Sequence, residues 1–510
     1  MHSFIQRHTY DVTAVLSGFV RVILRGYLPL CRTDYLHDWL NYRKLLLKDF
    51  KTFAPMQAER LKNHAQQMAK RTGRPFEHLT RRERKEEMAR AIAQRDGLKR
   101  GLIVVFSTLE TCRTVRVVYG EGRPRLKPAY RRCLVLYYYF LDEQFGLVHF
   151  KLETWLPFTM QVYVNGREWL ARKLDRERIT YRRVDNALIE LSDAAAAQRA
   201  AQRFWRQRWV RRLNAWARLV NPLLNDLLKE QEYYWVVDQA EFATDVIFRN
   251  REALARLYPR LLEHATLSFS AEDVLTFLGR KLAPTFAGEV LNEFKKRWPG
   301  ARVKHRMKSN WMKMYDKHGI VLRVETVIND PTEFRVRRWG RRKGREVLGW
   351  YPMRKGIANL WRYAEVGQRA NERYLDALSV VDDMGPSMKV LDQISSKVSH
   401  RGRRRRALAP LGRPDQALFA AVLRGEHTLN GFSNRDLAAQ LIGERPKDPV
   451  LRRRQSARVT RQLQLLRAHG LIAKIPRSRR YRVTARGQSL MTAAIAIRLK
   501  HFPQRLNHAA

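Results

Sequence analysis

The residues that could carry chemistry in this sequence are concentrated between Asn310 and Asn329. Tyr315 offers a phenol oxygen, which can attack phosphorus and leave a covalent phosphotyrosyl bond. Lys313 and Lys317 would lower the pKa of that phenol, because a nearby cation favours the charged form. We therefore predict catalytic roles for Tyr315, Lys317 and Glu325 in cleavage of a phosphodiester, with Tyr351, Tyr363 and Tyr374 as alternative nucleophiles.

Carboxylates in apolar sequence contexts lie in and near the same segment. Several acids on strands that face a basic sheet could bind a divalent cation, which would position a phosphodiester and polarise its oxygens. We predict magnesium or manganese as the cofactor. The predicted metal ligands are Asp238, Asp245, Asp316 and Glu325.

A hairpin must position these side chains. Two runs of alternating apolar and polar residues flank His318-Gly319, a pattern typical of a tight antiparallel turn. Together with a run at 302–307, they predict a three-stranded meander over about 302–328. One face would carry Trp311, Lys313, Tyr315 and Lys317, and Arg323 and Glu325 would share a face of the next strand. The simpler alternative is an exposed strand pair with cross-strand ion pairs.

Charge indicates the partner. Lys and Arg number 99 against 49 Asp and Glu, which gives a net charge of +50. Such an excess favours a polyanion, and we predict DNA, RNA or both, with no assignment of oligomeric state. No apolar run reaches the ~20 residues of a membrane span, and three widely spaced cysteines fit a reducing compartment. We predict a cytoplasmic, nucleoid-associated protein with no membrane contact.

Basic residues interleaved with aromatic ones indicate where nucleic acid would bind. In 203–212 the guanidinium groups could contact phosphates while tryptophan rings stack on bases. The alternative is that the tryptophan side faces a core and the arginine side is solvated. Across the chain, the predicted nucleic-acid-binding residues are Arg206, Arg208, Trp209, Lys304, Arg306, Lys313, Arg323, Arg337, Arg338, Arg341, Arg342, Arg454, Arg458, Arg461, Arg479 and Arg480.

The C-terminal part has the most regular pattern. Ser433 precedes a helical run as an N-cap, a second helix over 451–469 ends at Gly470, and two short strands flank the basic stretch 476–480. This order resembles the winged helix of the MarR and ArsR repressor families over about ninety residues. The resemblance implies that Arg452, Arg453, Arg454, Arg458 and Arg461 approach a groove, while Arg479 and Arg480 in the wing touch the backbone. A winged helix used only for protein contacts is the alternative.

A second resemblance covers about twenty residues. Lys313-Met314-Tyr315-Asp316-Lys317, followed by Leu322-Arg323-Val324-Glu325, resembles the paired strands of plasmid and filamentous-phage rolling-circle replication initiators. It implies nicking of single-stranded DNA through a tyrosine and a divalent metal. The sequence lacks the His-hydrophobic-His triplet of those families and has only an isolated His149.

The expected architecture is a multidomain α+β fold, with antiparallel sheets, flanking helices and a C-terminal winged helix-turn-helix domain. Its predicted function is nucleic-acid binding in a mobile element or plasmid, either as a replication-initiator-like, metal-dependent DNA-nicking enzyme or as a non-enzymatic DNA regulator or structured-RNA-binding protein. The predicted segments are a helical region 1–95, an α+β domain 96–192, basic aromatic helices 193–232, a second α+β domain 233–384, a basic linker 385–412, which is flexible or ordered on a polyanion, and the winged helix 413–510.

Overall fold

The computed structural model describes residues 1–80, 83–119, 124–267, 269, 271–280, 290–296, 301–342, 344–379, 381, 394–400, 402–424, 427, 431–443, 446 and 448–496. The chain divides into two compact units. Unit 1 comprises Met1–Thr13, Val246–Val324 and Arg369–Ala510, and unit 2 comprises Ala14–Asp245 and Glu325–Gln368. Both units contain helices and strands, so the fold is α+β, as predicted.

The strands vary from three-residue ladders to a strand of 18 residues. In chain order they are β1 (Val12–Tyr27), β2 (Phe76–His78), β3 (Gly101–Val118), β4 (Arg125–Asp142), β5 (Gly146–Glu153), β6 (Met160–Asn165), β7 (Arg182–Val184), β8 (Ala187–Ile189), β9 (Tyr234–Phe248), β10 (Val290–Lys296), β11 (Ala301–Met307), β12 (Asn310–Lys317), β13 (Val321–Ile328), β14 (Arg335–Arg342), β15 (Arg345–Pro352), β16 (Val398–His400), β17 (Arg403–Arg405), β18 (Ile472–Lys474) and β19 (Tyr481–Val483).

The helices flank these strands in sequence. They are α1 (His2–Arg7), α2 (Thr33–Tyr42), α3 (Phe50–Arg71), α4 (Lys85–Arg95), α5 (Gly166–Arg176), α6 (Ala194–Ala201), α7 (Trp209–Val220), α8 (Arg251–Leu267), α9 (Ala271–Phe277), α10 (Leu360–Leu378), α11 (Arg413–Val422), α12 (Asn434–Ile442), α13 (Pro449–Ala468) and α14 (Ala485–Ala496). Within the described ranges, no helix is both long and apolar enough to span a bilayer.

Unit 2 is built on a mixed sheet with the strand order β9-β1-β6-β5-β4-β3-β2. The ladders from β1 through β6, β5 and β4 to β3 are antiparallel, and β2 joins β3 in parallel. Strands β3 to β6 lie within the segment 96–192, which was predicted as an α+β domain. Smaller two-stranded sheets, β7–β8 and β14–β15, complete the unit.

The two faces of this sheet differ in polarity because successive side chains alternate. Leu24, Val162, Phe150 and Tyr138 follow one another across the strands and are buried. Helix α7 packs on this face, where the Trp216 ring lies 5.4 Å from that of Phe150. The opposite face is half-exposed and carries charged and aromatic side chains, described below.

Strand β1 is the main departure from the expected helical region 1–95. Helices α2 to α4 lie there as predicted, but Val12–Tyr27 forms a 16-residue strand. Its alternation of Val22 and Leu24 with Arg21 and Arg25 is a strand pattern. It pairs with β6, more than 130 residues along the chain, and this long-range partner is what makes the run a strand rather than a helix.

The predicted meander lies in unit 1 as far as Val324. Strands β10, β11, β12 and β13 are consecutive neighbours, and the β10–β11 and β11–β12 ladders are antiparallel. The inward face of β11 and β12 places Val303, Met312 and Met314 in the core. His305 is also fully buried there, where its Nε2 lies 2.9 Å from the hydroxyl oxygen of Tyr374 on α10.

The C-terminal part of unit 1 has its own apolar core. Leu418, Leu437, Val459 and Leu466 from three helices meet there. The described part of the predicted linker also belongs to this core, because Ile394 and Leu408 are buried in it while β16 and β17 pair between them. The structure therefore differs from the expectation of a segment that is ordered only on a polyanion.

Candidate functional site

The turn of the central hairpin matches its prediction. His318 and Gly319 have φ values of 58° and 74°, the left-handed conformations that a tight hairpin turn between twisted strands requires. The Asp316 carboxylate accepts a hydrogen bond from the Gly319 N–H at 2.8 Å, and burial raises the pKa of Asp316. Asp316 therefore holds the turn, which is a structural use of a predicted metal ligand.

Strands β11 and β12 bring basic and aromatic side chains together on the outer face of unit 1. The ring of Trp311 lies 4.8 Å from Lys304 Nζ and 6.0 Å from Lys313 Nζ. Lys304 also pairs with Glu293 at 3.4 Å. Arg302 lies on the same face, although it was not among the binding residues predicted from the sequence. The cross-strand pairs are Arg302–Tyr315, Lys304–Lys313 and Arg306–Trp311.

Strand β13 is different, because all of its residues are buried. Arg323 is 0% exposed and Glu325 is 3% exposed, and Lys317 at the end of β12 is 8% exposed. The predicted alternation between a core face and a solvent face is therefore wrong for β13. Arg323 lies in the interior of unit 1 and presents no surface to a nucleic acid in this structure.

The remaining predicted metal ligands in unit 2 lie beside different arginines. Asp238 accepts a hydrogen bond from Arg25 at 2.8 Å and is also near Gln161 and Lys355. Asp245 pairs with Arg167 at 3.0 Å, and both side chains are almost completely buried. These two carboxylates therefore compensate two separate cations, Arg25 on β1 and Arg167 on α5.

The charge of Glu325 contributes to the environment of a third arginine, Arg21. Burial disfavours the charged form of Arg21, but the ion pair and hydrogen bond with Glu241 more than offset it, so the pKa of Arg21 is raised, and Tyr163 and Glu325 make smaller contributions in the same direction. Among the described residues, no three His, Cys, Asp or Glu side chains form a group that could hold a metal ion. The magnesium or manganese cofactor stays a prediction.

His149 lies on the half-exposed face of the unit 2 sheet, in a row of rings. Its imidazole stacks on Tyr163 with ring centroids 4.7 Å apart and is 5.0 Å from Tyr139. Burial lowers the pKa of His149 to about 3, and the charges of Lys85 and Arg21 lower it further. The imidazole is therefore neutral at neutral pH and serves as a packed ring.

This depressed pKa predicts a pH-dependent stability. The unfolded chain binds a proton near pH 6.5, whereas native His149 does so only near pH 3, so the free energy of unfolding falls as pH drops through this window. We expect His149→Phe, which keeps a ring, to remove about 2 kcal/mol of the loss between pH 6.5 and 5.0. Urea titrations of both proteins across this range measure the difference; equal pH slopes would contradict it.

The basic aromatic segment 203–212 supports its simpler interpretation. Trp209 is 4% exposed, its ring packs 5.2 Å from Phe145, and its Nε1–H donates to the carbonyl oxygen of Phe204. This ring is unavailable for stacking on bases in the structure, which corrects the role predicted for it. Arg206 and Arg208 are exposed, and Arg206 lies over the Trp205 ring at 4.9 Å.

Helix α13 presents the most regular basic surface. Asp448 caps its first turn by accepting hydrogen bonds from the N–H groups of Val450 and Leu451. Its buried residues Val459, Leu463 and Leu466 follow helical spacing and face the C-terminal core. Away from that buried face, the predicted residues are all exposed: Arg452, Arg453, Arg454, Arg458 and Arg461.

The short hairpin β18–β19 follows α13 and carries the predicted wing residues in its turn. Arg479 is exposed, whereas Arg480 donates to the carbonyl oxygen of Gly431 at 2.9 Å and lies 3.4 Å from Asp436. Arg480 therefore fastens the hairpin to the start of α12. Arg477, exposed in the same turn with φ of 55°, was missed because a single turn residue has no periodic pattern.

The predicted binding residues Arg337, Arg338, Arg341 and Arg342 lie on a two-stranded ribbon, β14–β15. Arg337 and Arg341 are exposed on it, and Arg338 is partly covered by the Tyr351 ring at 4.8 Å. The side chain of Arg342 lies outside the described residues.

Comparison of the chain with protein-family models, with curated proteins and with solved structures finds no match.

Proposed function

We propose that this protein binds DNA without cutting it, and that residues 413–496 form a winged-helix domain in which α13 is the recognition helix. The observation that carries the proposal is the solvent-exposed arginine stripe of α13. Arg454, Arg458 and Arg461 are spaced so that they share one side of the helix. An α-helix fits the major groove of B-DNA, where arginine can contact guanine edges as well as phosphates.

The composition of α13 supports this role over a solvated surface helix. Its sequence contains arginine throughout and no acidic residue, so the helix has no intrahelical ion pairs to neutralise it. A helix that served only to cover the core would gain from mixed charges at i,i+4 spacing. The uncompensated charge is instead what a polyanion would neutralise.

The contact between α12 and α13 supports a fixed helix-turn-helix geometry. A capping box formed by Ser433 and Asp436 starts α12. Next to it, the Asn434 side chain donates to Thr460 Oγ1 at 2.8 Å and to the carbonyl oxygen of Ser456 at 3.0 Å. These bonds tie the first turn of α12 to the middle of α13, so that α13 is held rigidly with its arginines outward.

The hairpin β18–β19 supports the assignment of a wing. Arg480 anchors it through Gly431 and Asp436, which leaves Arg477 and Arg479 in the exposed turn. Cations on a short anchored hairpin suit contacts to the DNA backbone, which position a protein without reading sequence.

The catalytic alternative receives less support from the side chains. Asp238 and Asp245 pair with the guanidinium groups of Arg25 and Arg167, and Glu325 is 3% exposed. Two of the alternative nucleophiles, Tyr363 and Tyr374, are buried, and burial raises the pKa of both. Tyr315 is half-buried beside Arg302 and remains the phenol to test.

The test of the proposed function is the salt dependence of binding. We expect the full chain to bind a 20-base-pair duplex with an affinity that falls on the order of a thousandfold between 50 and 200 mM salt, because phosphate contacts release counterions. Fluorescence anisotropy of labelled duplex at several salt concentrations gives the slope. A flat salt profile, or no binding at low salt, would overturn the proposal.

The same preparation separates binding from cleavage. Incubated with supercoiled plasmid and magnesium or manganese, the protein is expected to shift plasmid mobility and leave no open circles. If open circles and a covalent protein–DNA adduct form, and Tyr315→Phe abolishes both while binding is retained, the nicking function replaces this proposal.

A further inference from the structure

The ribbon β14–β15 has two faces of different character. Its ladder pairs Arg337 with Trp350, Trp339 with Leu348 and Arg341 with Glu346. These residues share one face, because side chains alternate along each strand and paired residues lie on the same side. Residues in the intervening positions, including Arg338 and Tyr351, share the other.

The Tyr351 face is covered by the ribbon itself. The hydroxyl oxygen of Tyr351 lies 2.9 Å from the carbonyl oxygen of Gly340 and 3.0 Å from that of Val347. The ring crosses above Gly340, where a Cβ would lie only 2.7 Å from it, so a glycine is needed at this position. Arg338 then lies over the same ring at 4.8 Å. These contacts cover the middle of this face, beside which Val347 is 43% exposed.

The opposite face, which we call the tryptophan face, is open. Trp339 is 64% exposed and Trp350 is 55% exposed, with Leu348 between them in the ladder at 41%. Two indoles on one small ribbon leave a large apolar area exposed to water. Exposed apolar patches of this kind mark binding surfaces. Arg362 lies 5.3 Å from the Trp350 ring and donates to the carbonyl oxygen of Arg335, which holds this end of the face in place.

Charge identifies the class of partner. Arg337 and Arg341 are exposed on the tryptophan face, and Arg335 and Arg345 are exposed at the ends of the two strands. Glu346 is the only acidic residue in the described part of the ribbon. Guanidinium groups that alternate with large rings suit a nucleic-acid strand, since arginine pairs with phosphate while the ring stacks on a base.

The type of side chain also separates an unpaired strand from a duplex. In a duplex the faces of the bases are covered by their neighbours, and a protein reads the edges through polar donors and acceptors. An indole provides a flat ring and a single hydrogen-bond donor. Its contribution to binding therefore comes mainly from stacking on the face of a base. Trp339 and Trp350 are diagonal neighbours in the ladder, typically ~7–8 Å apart, which lets each take a separate base.

We infer that the tryptophan face binds unpaired nucleotides by stacking, with Arg337 and Arg341 on the adjacent phosphates. This deepens the proposed function and rests on it: the C-terminal helices would hold duplex DNA while the ribbon takes an unpaired stretch. The ribbon then favours substrates such as melted or looped DNA over plain duplex.

The test compares Trp339→Ala/Trp350→Ala with wild type on labelled dT20 and on a 20-base-pair duplex. Loss of two stacking contacts is expected to weaken dT20 binding on the order of a hundredfold, with duplex affinity changed less than about twofold. Because stacking involves no charge, the slope of log K against log salt on dT20 should stay as in wild type. Arg337→Ala/Arg341→Ala is expected to reduce that slope by about 1.4.

Two controls keep the result interpretable. Tyr42→Ala/Tyr130→Ala removes two exposed rings from elsewhere in unit 2 and is expected to leave dT20 binding unchanged. Trp339→Phe/Trp350→Phe keeps stacking rings and should retain most of the affinity, with circular dichroism and thermal melting confirming the fold of each variant.

Unchanged dT20 binding by the alanine variant, or an equal loss on dT20 and duplex, would overturn the stacking inference and leave duplex binding by α13 intact. Failure of wild type to bind either probe would instead overturn the proposed function.

Discussion

Replacement of Arg454, Arg458 and Arg461 by alanine is expected to lower the affinity of the full chain for duplex DNA on the order of a thousandfold at 100 mM salt. Each arginine is exposed on α13, and a groove-facing arginine typically contributes about 1–3 kcal/mol to binding. None of the three is among the buried residues of α13, so the melting temperature should change little. Anisotropy titrations with labelled duplex measure the effect.

The matched control removes the same charge from another surface. Arg116→Ala/Arg178→Ala/Arg199→Ala takes three exposed arginines from unit 2 and should weaken binding only a fewfold, through the long-range field. Equal losses in the two triple variants would show that α13 has no special role. A loss that depends on DNA sequence would indicate base contacts, and a uniform loss would indicate phosphate contacts.

Asp245→Asn is expected to lower the free energy of unfolding by about 3–5 kcal/mol, the usual range when one partner of a buried ion pair is removed. Asp245 and Arg167 are 0% and 1% exposed, and their side chains are 3.0 Å apart. Asparagine keeps the shape of the side chain but removes its charge, so the Arg167 guanidinium would stay buried without its anion. Urea unfolding followed by circular dichroism measures the difference.

Asp238→Asn is the matched control, because Asp238 lies on the same strand and also pairs with an arginine, but is partly exposed. We expect it to cost about 1 kcal/mol or less. The double change Arg167→Met/Asp245→Leu should recover most of the loss, since apolar residues of similar size often replace a buried pair without penalty. If Asp245→Asn is as stable as wild type, the pair does not stabilise unit 2.

Local features were predictable from the sequence because they depend on neighbouring residues. The His318-Gly319 turn needs two left-handed residues, and its flanking strands alternate visibly. The helices of the C-terminal part begin at side-chain caps such as Ser433, and the exposed arginines of α13 follow from its helical spacing. In each case the residues that determine the feature lie within a few positions of one another in the sequence.

Sheet membership and burial were decided by distant residues. Strand β1 exists because β6 pairs with it, and the two rings beside His149 of β5 come from β4 and β6. The same is true of Trp209, whose aromatic neighbours bury it although its sequence surroundings are basic. No local pattern contains these partners.

The acidic residues of β9 and β13 show most directly what the sequence alone cannot predict. In the sequence, Asp238, Asp245 and Glu325 are acids near a tyrosine and several lysines, a composition that fits a metal site as well as ion pairs. The tertiary structure pairs Asp238 with Arg25 of β1 and Asp245 with Arg167 of α5, and the low dielectric of the interior strengthens the buried Asp245–Arg167 pair. The sequence alone determined that the chain is strongly basic and where its exposed arginine helix lies. Only the folded chain decided which charges remain available to a nucleic acid, because a charge is neutralised by whatever lies next to it in space.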